Sequence, residues 1–152
     1  GEYGSMVADA EILSAMADVL RQLRGAVGSF RIRLNHRGLL DAVMEYCGVP
    51  AESFRPICSA IDKLDKMPWS EVKNEMCESK GLRPEVADKI HSFVVMSGSP
   101  LELLEKLEMN SELCSIPTAK NSLSELRTLF SYLQTMDVLS DILFDLALAR
   151  GL

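Results

Sequence analysis

Few residues in this chain have both the type and the setting for chemistry, and the first is Arg150. It follows a run in which Phe144, Leu146 and Leu148 alternate with Asp145, Ala147 and Ala149, a period-2 pattern that suits a half-buried strand. An arginine at the end of such a strand is either a plain surface residue, the commoner case, or a fixed positive charge aimed into a site. Its two-pronged guanidinium matches carboxylate and phosphate oxygens better than a lysine ammonium does.

The other candidates are weaker. His36 and His91 are the only histidines, and neither sits in a recognisable Ser or Cys motif that would give a general base its nucleophile; surface or capping roles are expected. Cys47, Cys58, Cys77 and Cys114 contain no C-x-x-C pair, so they read as free thiols, buried or half-buried, in a reducing compartment, with no metal site expected. Between 62 and 91, Lys63, Lys66, Lys73, Lys80, Arg83 and Lys89 are balanced by Asp62, Asp65, Glu71, Glu75, Glu78, Glu85 and Asp88, the pattern of a solvated surface. Lys66, Lys73 and Lys80 recur every seven residues and share a face if their helices are collinear. Trp69 behind Pro68 reads as packing at a helix junction rather than as a stacking platform.

The elements that must position these residues are mostly helical. Ala8 to Leu23 carries Ile12, Leu13, Met16, Val19, Leu20 and Leu23 at helical spacing. Phe30 to Asn35 alternates as a strand, and His36-Arg37-Gly38 turns into a helix over 39–47, closed by Gly48 and Pro50. Further helices are expected at 52–65, from Ser70, as cap, to Ser79, at 84–96 with Pro84 as first residue, at 100–108 and at 121–136. Residues 110–117 form the loosest segment. Two strands, one near each end of the chain, are marginal alone, so both read as parts of a larger sheet.

Composition sets the outer limits. The chain has 152 residues, one domain's worth, with 47% hydrophobic and 25% charged residues, which fits a folded soluble chain and not a disordered one. A net charge of −6 argues against an autonomous nucleic-acid binder. No apolar run approaches the ~18 residues that a membrane span needs. Gly1 in place of an initiator Met suits an internal piece of a longer chain.

Four stretches together resemble one family. LALARGL, at 146–152, resembles the start of the histidine motif of histidyl-tRNA synthetases, where Arg-Gly-Leu is followed by Asp-Tyr-Tyr. FRPICSAIDKLDKMPWSEVKNEM and KGLRPEVADKI resemble the insert of the eukaryotic and archaeal-type enzymes. GEYGSMVADAEIL resembles the segment just after motif 2, and FRIRLNHRGLLDAVMEYCGV the core strand and helix that follow. The resemblance runs through residues 1–152 in a single order.

This resemblance implies a mainly α-helical piece of an α+β class II synthetase. Two strands, about 30–35 and 143–149, would belong to its antiparallel sheet. Residues 1–54 and 141–152 would be catalytic core, and 55–140 a helical insertion domain. Arg150 would be catalytic, stabilising charge on the α-phosphate as histidine's carboxylate attacks ATP. His36 stands where many relatives carry Asp, which makes it an unlikely catalyst. Lys66, Lys73, Lys80 and Arg83 become candidates for contact with the tRNA acceptor stem. The whole enzyme would use ATP and Mg²⁺, take histidine and tRNA(His), form a homodimer, and reside in the cytoplasm, with an organellar pool also open. Motifs 1, 2 and 3 and an anticodon-binding domain are not among these residues. By themselves they are expected to be inactive, monomeric and without a bound cofactor. Two other classes compete with this reading: a free-standing helical module that binds protein partners through an apolar groove, and a regulatory RNA-binding domain, which the charge opposes.

Overall fold

The computed structural model describes residues 32–149, together with five helical positions ahead of them, 11, 15, 18, 19 and 22. Most of the expected N-terminal helix, and strand residues 30 and 31, lie outside the described residues. Val19, expected on the apolar stripe of that helix, is 57% exposed; among the described residues nothing packs over it.

β1 is Ile32–Leu34, β2 is Ser97–Gly98 and β3 is Ile142–Asp145, in the sheet order β1-β3-β2. β1 pairs with β3 in parallel, with Ile32 opposite Ile142 and Leu34 opposite Phe144. β2 lies antiparallel on the other edge of β3. The sheet among the described residues is therefore mixed. A parallel pair cannot be joined by a tight turn and needs a long crossover; the helices between β1 and β3 supply it.

Those helices are α1 (Arg37–Cys47), α2 (Phe54–Asp62), α3 (Trp69–Asn74), α4 (Pro84–Val94), α5 (Pro100–Glu108), α6 (Ser111–Cys114) and α7 (Pro117–Thr135). Their ends follow from local chemistry. Gly48 stops α1 in a left-handed conformation (φ 95°), its N–H bonded to Glu45 and Met44 carbonyls. Pro84, Pro100 and Pro117 each open a helix, where a missing N–H costs nothing. Asp137 takes φ 61° just after α7 and reverses the chain toward β3.

Several expected boundaries move. Ser70 is not a cap: the Pro68 carbonyl accepts from Glu71 and Val72 N–H, so α3 begins one residue earlier, at Trp69. α3 then widens into a π-helical turn, Glu75–Ser79. The segment read as loosest holds α6, whose cap is Asn110, accepting from Leu113 N–H at 3.1 Å. α7 begins at Pro117 and not at 121.

One continuous apolar core joins these elements. α1 contributes Leu39, Leu40, Ala42, Val43 and Met44, and α7 contributes Leu126, Leu129, Phe130 and Leu133, all at most 1% exposed. Phe130 meets Phe144 of β3 edge-to-face at 5.6 Å between ring centres. Of the apolar stripe that periodicity places at 54, 57, 61 and 64, Ile57 and Ile61 are buried and Phe54 and Leu64 half-buried; the stripe at 86, 90, 93 and 94 is buried throughout. β3 thus packs against α5 and, through Phe144, against α7, within the same core that buries Leu34 of β1.

Candidate functional site

β1 and β3 run in parallel, so their C-terminal ends emerge side by side. From β1 come Asn35, His36 and Arg37; from β3 comes the segment 146–149, which leads to Arg150. Arg150, Gly151 and Leu152 themselves lie outside the described residues.

The expected strand over 143–149 ends early, at Asp145, for a reason visible in its side chain. Asp145 Oδ1 accepts from Ala147 N–H at 2.9 Å, and the Asp145 carbonyl accepts from Leu148 N–H at 3.1 Å. Aspartate commonly forms such a local turn. The other carboxylate oxygen, Oδ2, holds Arg33 Nε at 2.9 Å. Arg33 Nη1 also reaches Asp65 Oδ2, at 3.1 Å. The Asp65 hydrogen bond is the largest influence on Arg33 and, with Asp145, raises its pKa further; partial burial opposes the rise.

Beyond Asp145 the segment is held by side chains from across the site. Asn35 is 1% exposed. Its Nδ2 donates to the Leu148 carbonyl at 3.0 Å and to the Leu146 carbonyl at 3.4 Å. Arg37 Nη1 donates to the Ala149 carbonyl at 3.4 Å, and Arg37 Nε donates to Asp41 Oδ1, one turn along α1, at 3.2 Å.

His36 caps α1. Its Nδ1 accepts from Gly38 N–H at 2.9 Å, the task usually given to Ser, Thr, Asp or Asn. With Nδ1 accepting, the ring proton belongs on Nε2, which faces Glu125 Oε2 of α7 at 2.5 Å. Both ring nitrogens are thereby engaged, as the capping expectation required.

Two open grooves flank the segment 148–149. One, about 180 Å³, is lined by Arg37, Arg55, Cys58, Ser59, Asp62 and Ala149. The other, about 490 Å³, is lined by Arg33, Ser59, Asp62, Lys63, Asp65, Lys66 and Leu148, so its cations face two acids. The cations here are not equal. Arg33 is bound by two aspartates, and Lys63 is paired with Glu75. Arg55 and Lys66 are exposed and make no ion pair among the described residues. These two are the cations best placed to meet an anion. Cys58, in the first groove, is a poor nucleophile: burial pushes its thiol up to about 11. Cys47 is pushed up to about 11 in the same way.

The four expected tRNA-contact candidates do not form one face. Lys66 ends the turn after α2, before the bend at Met67 and Pro68, and Lys73 lies beyond that bend on α3. Lys73 Nζ is bound by Asp88 at 2.8 Å, which raises its pKa. Lys80 is exposed beyond the π-helical turn. Arg83 precedes α4 and only approaches Glu85, at 3.9 Å. Trp69 stacks on His91 at 4.2 Å between ring centres, half-buried against the core. All four cysteines are free thiols, Cys47 and Cys58 buried and the other two half-buried.

Sequence reasoning passed over Asn35, Arg37 and Arg55. Asn35 follows an alternating strand on its polar side, and periodicity therefore placed it in water. It is buried because the chain turns into α1 at that residue. Arg55 carried no sequence signal of its own: it sits between Phe54 and Ile57 with Glu52 three residues before it, the ordinary pattern of a surface arginine.

Among the described residues no group of three or more His, Cys, Asp or Glu side chains is arranged to hold a metal ion, and no helix is long and apolar enough to cross a membrane.

A family model described as histidyl-tRNA synthetase matches residues 1–152. The cytoplasmic histidine–tRNA ligase of Dictyostelium discoideum is 51% identical over 152 residues, covering 100% of this chain and 31% of that protein. The cytoplasmic histidine–tRNA ligase of Takifugu rubripes is 45% identical, and the mitochondrial histidine–tRNA ligase of Homo sapiens 43%; each match covers 100% of this chain and 29% of the relative. The crystal structure of histidyl-tRNA synthetase from Nostoc sp. PCC 7120 matches with a TM-score of 0.86 at 29% identity, over 97% of this chain and 34% of that one. The chain thus spans about a third of the length of the relatives it matches.

Proposed function

Because the chain belongs to the histidyl-tRNA synthetase family, we propose that it is the stretch of a histidine–tRNA ligase that delivers Arg150 to the adenylation site. The observation that carries this reading is the anchored segment 146–149, three of whose carbonyls are gripped by Asn35 and Arg37. A catalytic arginine needs a fixed approach, and this segment is its approach.

In the first step a carboxylate oxygen of histidine attacks the α-phosphorus of ATP. Pyrophosphate leaves and histidyl-adenylate forms. Negative charge grows on the nonbridging oxygens of the α-phosphate, and the Arg150 guanidinium stabilises it there more than in the ground state. In the second step a ribose hydroxyl at the 3′ end of tRNA(His) attacks the adenylate carbonyl, and AMP leaves. Mg²⁺ accompanies ATP and neutralises phosphate charge. Among the described residues no group of three or more His, Cys, Asp or Glu side chains could hold the ion.

Residues 1–54 and 141–152 belong to the catalytic core, and 55–140 form a helical insertion domain over the tRNA acceptor stem. The pairing of β1 with β3 supports a common sheet for the two ends of the chain; β2, from within 55–140, is the third strand of that sheet, and one apolar core runs through both parts. Lys66, Lys80 and Arg83 serve as phosphate contacts. Lys73 is a weaker candidate because Asp88 already holds it. Such contacts are sequence-independent and weaken with salt. The whole ligase is a homodimer and cytoplasmic, with an organellar form as the second location.

The test is histidine-dependent ATP–pyrophosphate exchange. The full-length ligase is expected to support it, Arg150→Met is expected to lower its kcat by about 10²–10³-fold, as loss of a transition-state donor does, and residues 1–152 alone are expected to give none. Undiminished exchange by Arg150→Met would sink the catalytic assignment, and exchange by residues 1–152 alone would sink the division of labour. In aminoacylation, Lys66→Ala and Lys80→Ala are expected to raise the KM for tRNA at moderate salt without changing exchange; an unchanged KM removes the insert's proposed contacts.

A further inference from the structure

We infer that Asn35 and Arg37 are positioning residues for the adenylation arginine: they clip three carbonyls, those of Leu146, Leu148 and Ala149, and so hold in place the segment that leads to residue 150. This rests on the reading of Arg150 given above.

The argument begins with the turn at Asp145. There the chain leaves the ladder with β1, and the carbonyls beyond it lose their strand partners. Asn35 takes over. Its two amide hydrogens go to Leu148 and Leu146, carbonyls two residues apart, at 3.0 and 3.4 Å. The residue is 1% exposed, so water cannot take the place of those donors. Its Oδ1 has no hydrogen-bond partner among the described residues. The amide is therefore oriented by what it donates and not by what it accepts.

Arg37 completes the clip one residue further on. Its donor to the Ala149 carbonyl acts on the peptide unit that joins 149 to 150. That unit is planar. Fixing the carbonyl direction at 149 therefore fixes the plane through which the chain continues. Arg37 is itself steadied by Asp41. Neither side chain needs to touch substrate to matter. A small misplacement of a group that must meet a developing charge can cost on the order of 10²-fold in rate.

A plainer role is open to the same residues: satisfying buried carbonyls for stability alone. The two roles separate in a double-mutant cycle on the full-length ligase, read by histidine-dependent ATP–pyrophosphate exchange. Asn35→Ser is expected to lower kcat by about 10–100-fold and Arg37→Met by about tenfold, with the KM values for histidine and ATP within about threefold of wild type. In an Arg150→Met background both effects shrink to about threefold or less, because the group they aim is gone. Arg37→Lys recovers most of the Arg37→Met loss.

Equal fold-losses in the two backgrounds would overturn the inference and leave Arg150 catalytic. So would a change confined to KM. If Arg150→Met by itself leaves exchange intact, the catalytic reading fails and the inference fails with it, a distinct outcome visible in the single variant. Should Asn35→Ser not fold, Arg37→Met decides the matter, since the Arg37 side chain is 39% exposed and its loss is tolerable.

Discussion

Replacing Gly38 by alanine should destabilise this chain, although alanine is the better helix former. Gly38 is the second residue of α1. In an unhindered helix interior, glycine to alanine gains about 0.5–1 kcal/mol. Here a Cβ would lie 2.6 Å from Ser122 Oγ of α7 and 2.9 Å from His36 Cε1. Both neighbours are side chains and not backbone, but neither is free to move. Ser122 is 3% exposed. His36 is pinned by Gly38 N–H and Glu125. Displacing the imidazole loses a cap worth about 1 kcal/mol, and overpacking a filled interface costs about 1–3 kcal/mol. Set against the helix gain, the net loss is about 1–3.5 kcal/mol. The assay is urea unfolding followed by far-ultraviolet circular dichroism, comparing Gly38→Ala in the natural sequence and in Ser122→Ala. Removing Oγ takes away the closest contact, so the loss should fall by half or more in the second background. A Gly38→Ala protein more stable than the parent, or an equal loss in both backgrounds, would refute the reasoning.

Three further outcomes follow from the packing. Phe144→Ala removes a fully buried ring that meets Phe130 edge-to-face; it should cost about 3–5 kcal/mol, whereas Val95→Ala, at 58% exposed, should stay within about 0.5 kcal/mol, both read from urea midpoints. At about pH 8 iodoacetamide should modify Cys77 and Cys114 well before Cys47 and Cys58, whose thiols burial pushes up to about 11. The sign for stability follows: these two thiols are neutral in the fold, so their contribution is complete below the ordinary thiol value and is lost as pH rises toward 11, and peptide mass mapping that finds all four labelled at one rate would contradict the burial argument. His91→Ala should expose Trp69, the sole tryptophan, shifting its emission to the red and raising its quenching by acrylamide; unchanged emission would mean the stack does not shield the indole.

The helices were legible because their signal is periodic and local. Ile57 and Ile61, or Leu126, Leu129, Phe130 and Leu133, sit on one face whatever lies opposite, and each is buried. Proline and glycine punctuation was legible for the same reason at Gly48 and Pro84. The errors came where two signals competed. Ser70 offered a capping hydroxyl, but Pro68 already supplied the extended residue from which a helix starts. Alternation continued past Asp145 in the sequence, but the Asp145 carboxylate folds the next residues into a turn. β2 is two residues long and leaves no period to detect.

The site was half legible, and the missing half has one physical cause. Arg150 is visible through the motif around it, because its type and its neighbours are contiguous. Asn35 and Arg37 act on residues 111 to 113 positions away. Their importance arises only once β1 and β3 lie side by side in parallel, an arrangement in which Ile142 and Phe144 are fully buried, Phe144 against Phe130 of α7, and which no local preference dictates. The same packing brings Glu125 to His36 and Ser122 to Gly38. The last helix before β3 therefore presses directly on the turn from which Asn35 and Arg37 reach out. A perturbation at the α1–α7 contact should consequently be felt at the carbonyls of 146–149 without touching them. Gly38→Ala in the full-length ligase should then lower exchange in the natural sequence and lower it less in the Arg150→Met background; equal losses in both would mean that the contact supports the fold alone.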